Sequence, residues 1–202
     1  MRLVPRSRFL LPVMRDVRCK QAIDKEKKMV TFKKLWESHP QVTGDDNPCS
    51  TNGKSNFSDQ CAIRVGAALA ACGVKTGSLP GVRHCWYHEK SSGHTLAAEE
   101  LANGLRKLPI HGVKKAIKVD PSDFKSVLNG KKGIIFFKDY WQRTVNGKKE
   151  SFRNRSGDHI DLWNGFRLAH PRSIVQMYLR IGSFGLGSDH SQAKEIWFWE
   201  VL

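Results

Sequence analysis

The sequence predicts an α+β fold, with N-terminal helices that carry a cysteine packed on a mostly antiparallel sheet. Three observations predict it. Helical patterning comes first in the chain and includes the run Cys61-Ala-Ile-Arg-Val-Gly-Ala-Ala-Leu-Ala-Ala-Cys72. The strand signals come afterwards, at 133–137, 158–163 and 195–201. The dipeptide Asn164-Gly165, the strongest short hairpin signal, follows one of those strands directly. Helices followed by hairpin-linked strands give a layered α+β arrangement, not alternating βαβ units.

The 202 residues suit one domain with a real core, and 40% hydrophobic content fits a globular chain. Residues 1–28 differ from the rest and read as a basic disordered tail or a mis-assigned start. Their one apolar run, Phe9-Leu-Leu-Pro-Val13, is broken by Pro12 and flanked by charges. It does not make the unbroken apolar core of a secretory signal. Met29 is therefore a credible alternative start to Met1, with 29–202 as a single domain. No segment approaches the roughly 18 apolar residues of a membrane span. Cys19, Cys49, Cys61, Cys72 and Cys85 are too few and too uneven for a disulfide framework. One bridge among Cys49, Cys72 and Cys85 stays open in an oxidising space.

Each element has a local reason. Phe32, Leu35 and Trp36 have helical spacing behind Thr31, which can cap. Residues 39–56 are rich in Pro, Gly, Asn, Asp and Ser, which is loop chemistry. A helix then runs from Ser58, as N-cap, to Gly73, as C-terminal stop. Asp59 sits in its first turn, where the helix dipole favours negative charge. Residues 74–94 are polar and Gly-rich. Residues 95–108 form a second amphipathic helix with Leu101, Leu105 and Leu108 on one face. Residues 120–130 form a short helix with Asp120 as cap, Pro121 at the first position and Gly130 at the end. Gly133-Ile-Ile-Phe-Phe137 reads as a central strand buried on both faces. Residues 140–157 are a basic, turn-rich connection. Asp158-His159-Ile-Asp161-Leu-Trp163 alternates as a half-buried strand does, with a return strand at 166–169. Residues 173–179 are irregular or a short helix, and 195–201 form the last strand.

The chemistry is concentrated in a few residues. Cys61 falls near the third position of its helix, where free N–H groups and the dipole favour thiolate. A two-residue turn at Asn164-Gly165 pairs Trp163 with Phe166, and so sets His159 opposite His170. His159, Asp161, Trp163 and His170 then share a sheet face. A helix-borne Cys61 packed on that face meets His159, giving a nucleophile and its base. His170 or Asp161 is the candidate for orienting the imidazole, and Asp189-His190 is a more distant pair.

Three of these segments also carry a family resemblance. Gln60-Cys61-Ala-Ile-Arg64, Gly130-Lys-Lys-Gly133-Ile-Ile135 and Gly157-Asp-His159-Ile-Asp161-Leu-Trp163-Asn-Gly165 occur in order. They resemble the motifs of the fourth family of type VI secretion amidase effectors, which are papain-like peptidoglycan amidases of NlpC/P60-type fold. The resemblance covers 29–202. It implies an antibacterial cysteine endopeptidase that cuts the γ-D-glutamyl–meso-diaminopimelate bond of stem peptides. Cys61 is implied as nucleophile and His159 as base, without a cofactor. The family usually supplies an Asp as third member a few residues after the hairpin turn. This chain has His170 in that region, which the wider NlpC/P60 group accepts. The resemblance further implies a cognate immunity protein that blocks the cleft. It also implies passage without a signal peptide, through the type VI secretion machinery, from the cytoplasm to a target bacterium's periplasm.

Two other function classes compete. The net charge of +15, from 34 Lys+Arg against 19 Asp+Glu, suits an anionic cell-wall polymer but also nucleic acid. A basic nucleic-acid-binding protein without catalysis is the alternative. No helix-turn-helix, zinc-finger or RNA-binding signature supports it, and salt-dependent retention on DNA or RNA would separate the two. His84-Cys85-x-x-His88 has poor spacing for a closed zinc site and needs a fourth ligand from elsewhere. It reads as a polar loop with incidental histidines and no metal, which a zinc assay decides.

Overall fold

A computed structural model describes residues 29–170 and 190–202. The expectations for residues 1–28, Cys19, residues 173–179 and Asp189 lie outside the described residues. The elements in chain order begin with α1 (Phe32–Glu37), α2 (Pro40–Thr43), a hairpin of β1 (Ser50–Thr51) and β2 (Lys54–Ser55), α3 (Cys61–Ala71) and α4 (Ala98–Lys107). They continue with β3 (Ile117–Val119), α5 (Phe124–Val127), β4 (Gly133–Trp141), a hairpin of β5 (Thr144–Val145) and β6 (Lys148–Lys149), β7 (Gly157–Trp163) and β8 (Glu195–Glu200).

The strand signals assemble into one four-stranded sheet, ordered β3-β8-β4-β7, with every pairing antiparallel. β4 is paired on both sides, which is why its start is a continuous apolar run. Its side chains alternate between two cores. Ile134, Phe136, Ile160, Leu162, Trp197 and Trp199 pack with Ala62, Val65 and Leu69 of α3 and Leu101 and Leu105 of α4. Ile135, Phe137, Trp163, Ile196 and Phe198 pack with Phe124 and Leu128 on the other side. The second cover explains one difference from expectation. The strand at 158–163 is not half-buried: Ile160, Asp161, Leu162 and Trp163 are all buried. Trp163 donates its indole N–H to the Leu128 carbonyl at 2.9 Å, so its polar edge is satisfied inside.

Helix α1 begins as its sequence predicts, with the Thr31 hydroxyl accepting from the Lys34 N–H at 3.4 Å. Helix α3 starts later than predicted. Ser58 is not its cap; the flanking residue is Gln60, whose side chain makes no cap bond. That amide is used elsewhere. Gln60 Nε2 donates to the Cys49 carbonyl, and Gln60 Oε1 accepts from the Cys49 N–H, at 3.0 and 2.9 Å. Cys61 is therefore the first helical residue, closer to the free N–H end than its predicted place. At the far end, Gly73 has φ +85°. Gly73 N–H bonds the Ala70 carbonyl and Val74 N–H the Leu69 carbonyl, which is a Schellman stop.

Glycine is required at Gly66 by close approach. A Cβ there would lie 2.1 Å from the Gly93 carbonyl oxygen, a backbone atom that cannot turn aside. Gly66→Ala is expected to destabilise the fold by about 1–3 kcal/mol, as overpacking does. Denaturant unfolding of the two proteins measures this, and an unchanged midpoint would refute it.

Helix α4 begins at Ala98, not at residue 95. Thr95 instead bridges His84 in an isolated strand contact and gives its hydroxyl proton to the Ala62 carbonyl at 2.7 Å. Leu101 and Leu105 are buried as predicted, but Leu108 ends the helix and is exposed. The predicted helix at 120–130 is only Phe124–Val127, because Asp120 caps a preceding turn through Ser122 N–H at 2.8 Å.

The hairpin after β7 corrects the predicted register. Trp163 pairs with Leu168, not Phe166, so the loop has four residues. A two-residue type I′ turn needs positive φ at both positions, and only Gly165 has it. Asn164 instead spends its side-chain oxygen on the Phe166 and Arg167 N–H groups at 3.2 and 2.9 Å. The Gly165 carbonyl accepts from Gly130 N–H at 3.0 Å, which holds the loop against the end of the α5 segment.

Candidate active site

Among the described residues the sheet ends at β7, whose Leu162–Trp163 end is met by residues 168–169, and the N-terminus of α3 packs beside that strand. Helix α3 packs on the face formed by Ile160 and Leu162. His159 and Asp161 alternate with those residues and so belong to the opposite set. The expected packing of the cysteine helix on the His159 face is therefore corrected; the two residues meet around the strand edge. There Cys61 and His159 line the same cleft, and the His159 imidazole and the Ile160 N–H both act on the Cys61 sulfur. Burial alone would raise the Cys61 thiol. The His159 imidazole with its positive charge and the Ile160 N–H outweigh it, and the thiol is held below its ordinary value. Asp59 works against the thiolate, since its carboxylate lies close enough to repel it.

His159 responds in the opposite sense. Burial disfavours its charged form, but the nearby Asp161 carboxylate and Cys61 sulfur prevail and push it up to about 10. The Asp161 carboxylate Oδ2 stands 3.6 Å from His159 Nε2, which leaves Nδ1 for the sulfur. Residues two apart on a strand are about 6.6 Å apart along the backbone, within reach of two side chains leaning together. Burial raises the Asp161 carboxyl, but His159 and His39 overcome it and keep it below the usual carboxylate range. Its Oδ1 accepts the Leu162 N–H at 2.7 Å.

His39 is absent from the sequence-based candidates. Its Nε2 lies 3.5 Å from Asp161 Oδ1, so two imidazoles bracket one carboxylate. His39 is buried, and burial lowers its pKa despite the carboxylate, so it stands neutral. It precedes Pro40 at the start of α2. A single histidine in a loop carries no periodic signal, which is why only its place in space reveals it.

His170 is not where the predicted register put it. The Trp163–Leu168 pairing, with Ala169 N–H bonding the Leu162 carbonyl, brings it opposite Asp161 instead of His159. Burial lowers its pKa, with the Asp161 charge acting against that. His190 comes nearer than expected: its ring centroid is 5.9 Å from that of His159, and it stacks on Tyr140 at 5.0 Å.

Cys61 and His159 open onto a cleft of about 530 Å³. Tyr140 and Trp141 form part of its wall, beyond a break in register between Phe137 and Trp141 of β4. Bulges of this kind re-aim side chains beside active sites. Arg64, Arg83 and Arg143 line the cleft together with Asp59 and Asp158.

The family model described as type VI secretion system (T6SS), amidase effector protein 4 (Tae4), matches residues 57–199. The chain belongs to the Tae4 family. The family is described as one of amidase effectors of type VI secretion, so its assigned activity is hydrolysis of an amide bond. A crystal structure of Tae4 from Enterobacter cloacae shares the fold, with a TM-score of 0.55 and 16% identity over 85% of this chain and 96% of that one. Tae4 from Salmonella typhimurium, solved in complex with the immunity protein Tai4 from Enterobacter cloacae, gives a TM-score of 0.49 at 16% identity, over 85% and 98% of the two chains. No curated protein matches the sequence.

The segment matched by the Tae4 family holds Cys61, His159, Asp161 and His170, and it begins after His39 and Cys49. A second cluster lies one layer behind the Cys61 helix. Cys49, Cys85, His88 and His94 bring their ligand atoms within 4.8 Å of one another. The sequence alone gives no reason to join His84, Cys85 and His88 to other donors. Cys85 and His88 are gathered in the cluster, while His84 bridges Thr95 outside it. Cys49, Cys61, Cys72 and Cys85 are free thiols. Among the described residues no helix is long and apolar enough to cross a membrane.

Proposed function

We propose that residues 29–202 form a single papain-type, NlpC/P60-like amidase domain that cuts peptidoglycan stem peptides. The bond assigned is that between γ-D-glutamate and meso-diaminopimelate. Delivery is through the type VI secretion machinery into the periplasm of a target bacterium. The observation that carries the reading is Cys61 and His159 together at one cleft, electrostatically coupled, with the Asp161 carboxylate 3.6 Å from His159 Nε2. It has the nucleophile, base and orienter roles of covalent acyl transfer.

The steps follow from these groups. The Cys61 thiolate attacks the scissile carbonyl carbon. The developing oxyanion takes the Cys61 N–H, which as the first of its helix has no intrahelical acceptor. His159, already protonated, gives its proton to the departing diaminopimelate amine as the C–N bond breaks, leaving a thioester. Neutral His159 then takes a proton from water, and the hydroxide releases the glutamyl carboxylate and regenerates the thiolate. Asp161 fills the third role, holding the His159 ring and stabilising its charge. The predicted register favours His170 for that role, and the hairpin does not adopt it. Arg64, Arg83 and Arg143 suit a substrate with free carboxylates, which guanidinium groups grip in pairs of bonds.

A cognate immunity protein is the proposed partner, as membership of an effector family implies. Digestion of purified sacculi followed by mass analysis of the muropeptides tests the assignment. Fragments ending in γ-D-glutamate and beginning in diaminopimelate are expected. Cleavage elsewhere, or equal cleavage by Cys61→Ala, would overturn it.

A further inference from the structure

We propose that Cys49, Cys85, His88 and His94 bind one structural zinc ion. The proposal concerns a site away from the cleft and does not rest on the amidase reading.

The donor atoms have the spacing of a coordination shell. With Zn–S about 2.3 Å and Zn–N about 2.0–2.1 Å, a tetrahedral site places sulfur and nitrogen about 3.6 Å apart. Cys49 Sγ lies 3.6 Å from His88 Nδ1, Cys85 Sγ 3.4 Å from the same nitrogen, and Cys85 Sγ 3.6 Å from His94 Nδ1. All four donors fall within 4.8 Å of one another. Two cysteines and two histidines make a closed set, with no position left for water, as structural zinc requires. Cys49, Cys85 and His94 are buried. A disulfide between Cys49 and Cys85 would use the sulfurs but give no reason for both imidazoles to turn onto them.

The ligands are also held in place. Gln60 clamps the Cys49 backbone from both its N–H and its carbonyl. Asn56 Nδ2 points at Cys49 Sγ at 3.6 Å, the kind of outer donor that steadies a thiolate ligand. Cys85 N–H bonds the His94 carbonyl, closing the turn that carries three of the four ligands. Ile63 of α3 packs against Cys49 and Cys85. The ion would thus tie the 49–56 and 85–94 segments to the helix that begins with Cys61. Binding displaces the two thiol protons, so affinity falls as pH falls.

The test uses the full chain purified without chelators. Elemental analysis should give one zinc per chain. After the zinc is stripped, titration with zinc chloride should restore it, with an apparent Kd of about nanomolar or tighter at neutral pH. Cobalt in its place should give the visible absorption of a tetrahedral, thiolate-bound ion. Removing the metal should lower the Tm, and adding zinc back should restore it. Cys85→Ser and His94→Ala should each weaken zinc binding at least roughly a hundredfold. If either variant fails to fold, wild-type stoichiometry and the cobalt spectrum still decide. Stripped wild type that takes up no zinc, a Cys49–Cys85 disulfide in the purified protein, or zinc retained by a folded Cys85→Ser variant would each overturn the site.

Discussion

Replacing Cys61 with alanine is expected to lower turnover of peptidoglycan by on the order of 10⁶, as loss of a covalent nucleophile does. His159 and the Ile160 N–H together stabilise its sulfur as an anion at the strand edge. Burial instead raises the Cys72 thiol, and Cys49 belongs to the separate four-donor cluster, so neither offers a substitute. Alanine leaves packing nearly intact, because Cys61 is only partly buried and small. The variant should therefore unfold at the same denaturant concentration as wild type while releasing no new stem-peptide fragments. Residual turnover near wild type in a folded variant would remove Cys61 from the chemistry.

Asp161→Asn is expected to lower turnover roughly 10²- to 10⁴-fold and to narrow the active pH range. The active form pairs a thiolate with an imidazolium. Its acid limit is protonation of Cys61, which lies below the ordinary thiol value. Its alkaline limit is deprotonation of His159, at about 10. Asp161 supports the imidazolium, so removing its charge lowers the alkaline limit. A less stable imidazolium also supports the thiolate less, so the acid limit rises. The two limits belong to the pair and not to single residues. Activity of the variant measured from mildly acidic to strongly alkaline pH should show both limbs moved inward. A smaller rate with an unmoved profile would give Asp161 a purely structural role.

The local parts of this site were legible in the sequence. Cys61 at a helix start and His159 and Asp161 alternating on a strand are short-range patterns. The same holds for the β4 core, since five consecutive buried residues leave one reading. What the sequence hid was long-range or decided by one side chain. Asn164 uses its carbonyl oxygen to cap its own loop, and that moves His170 by two positions. His39 meets Asp161 from a segment far earlier in the chain. Strand β3, Ile117-Lys118-Val119, is too short and too charged to announce itself, and exists because β8 offers it an edge. Cys85 and His88 were visible as a pair, but only the fold brings Cys49 and His94 to them.

The claim that a thiolate–imidazolium pair exists at the β7 edge is tested most directly by the pH dependence of Cys61 alkylation. Iodoacetamide labelling, followed by peptide mapping, reads the Cys61 thiolate alone. Wild type should react with a half-point below that of an ordinary thiol, and His159→Ala should move that half-point upward by more than about one pH unit, roughly tenfold in equilibrium. Equal half-points in the two proteins, or a wild-type Cys61 that titrates at or above the ordinary value, would contradict the pair.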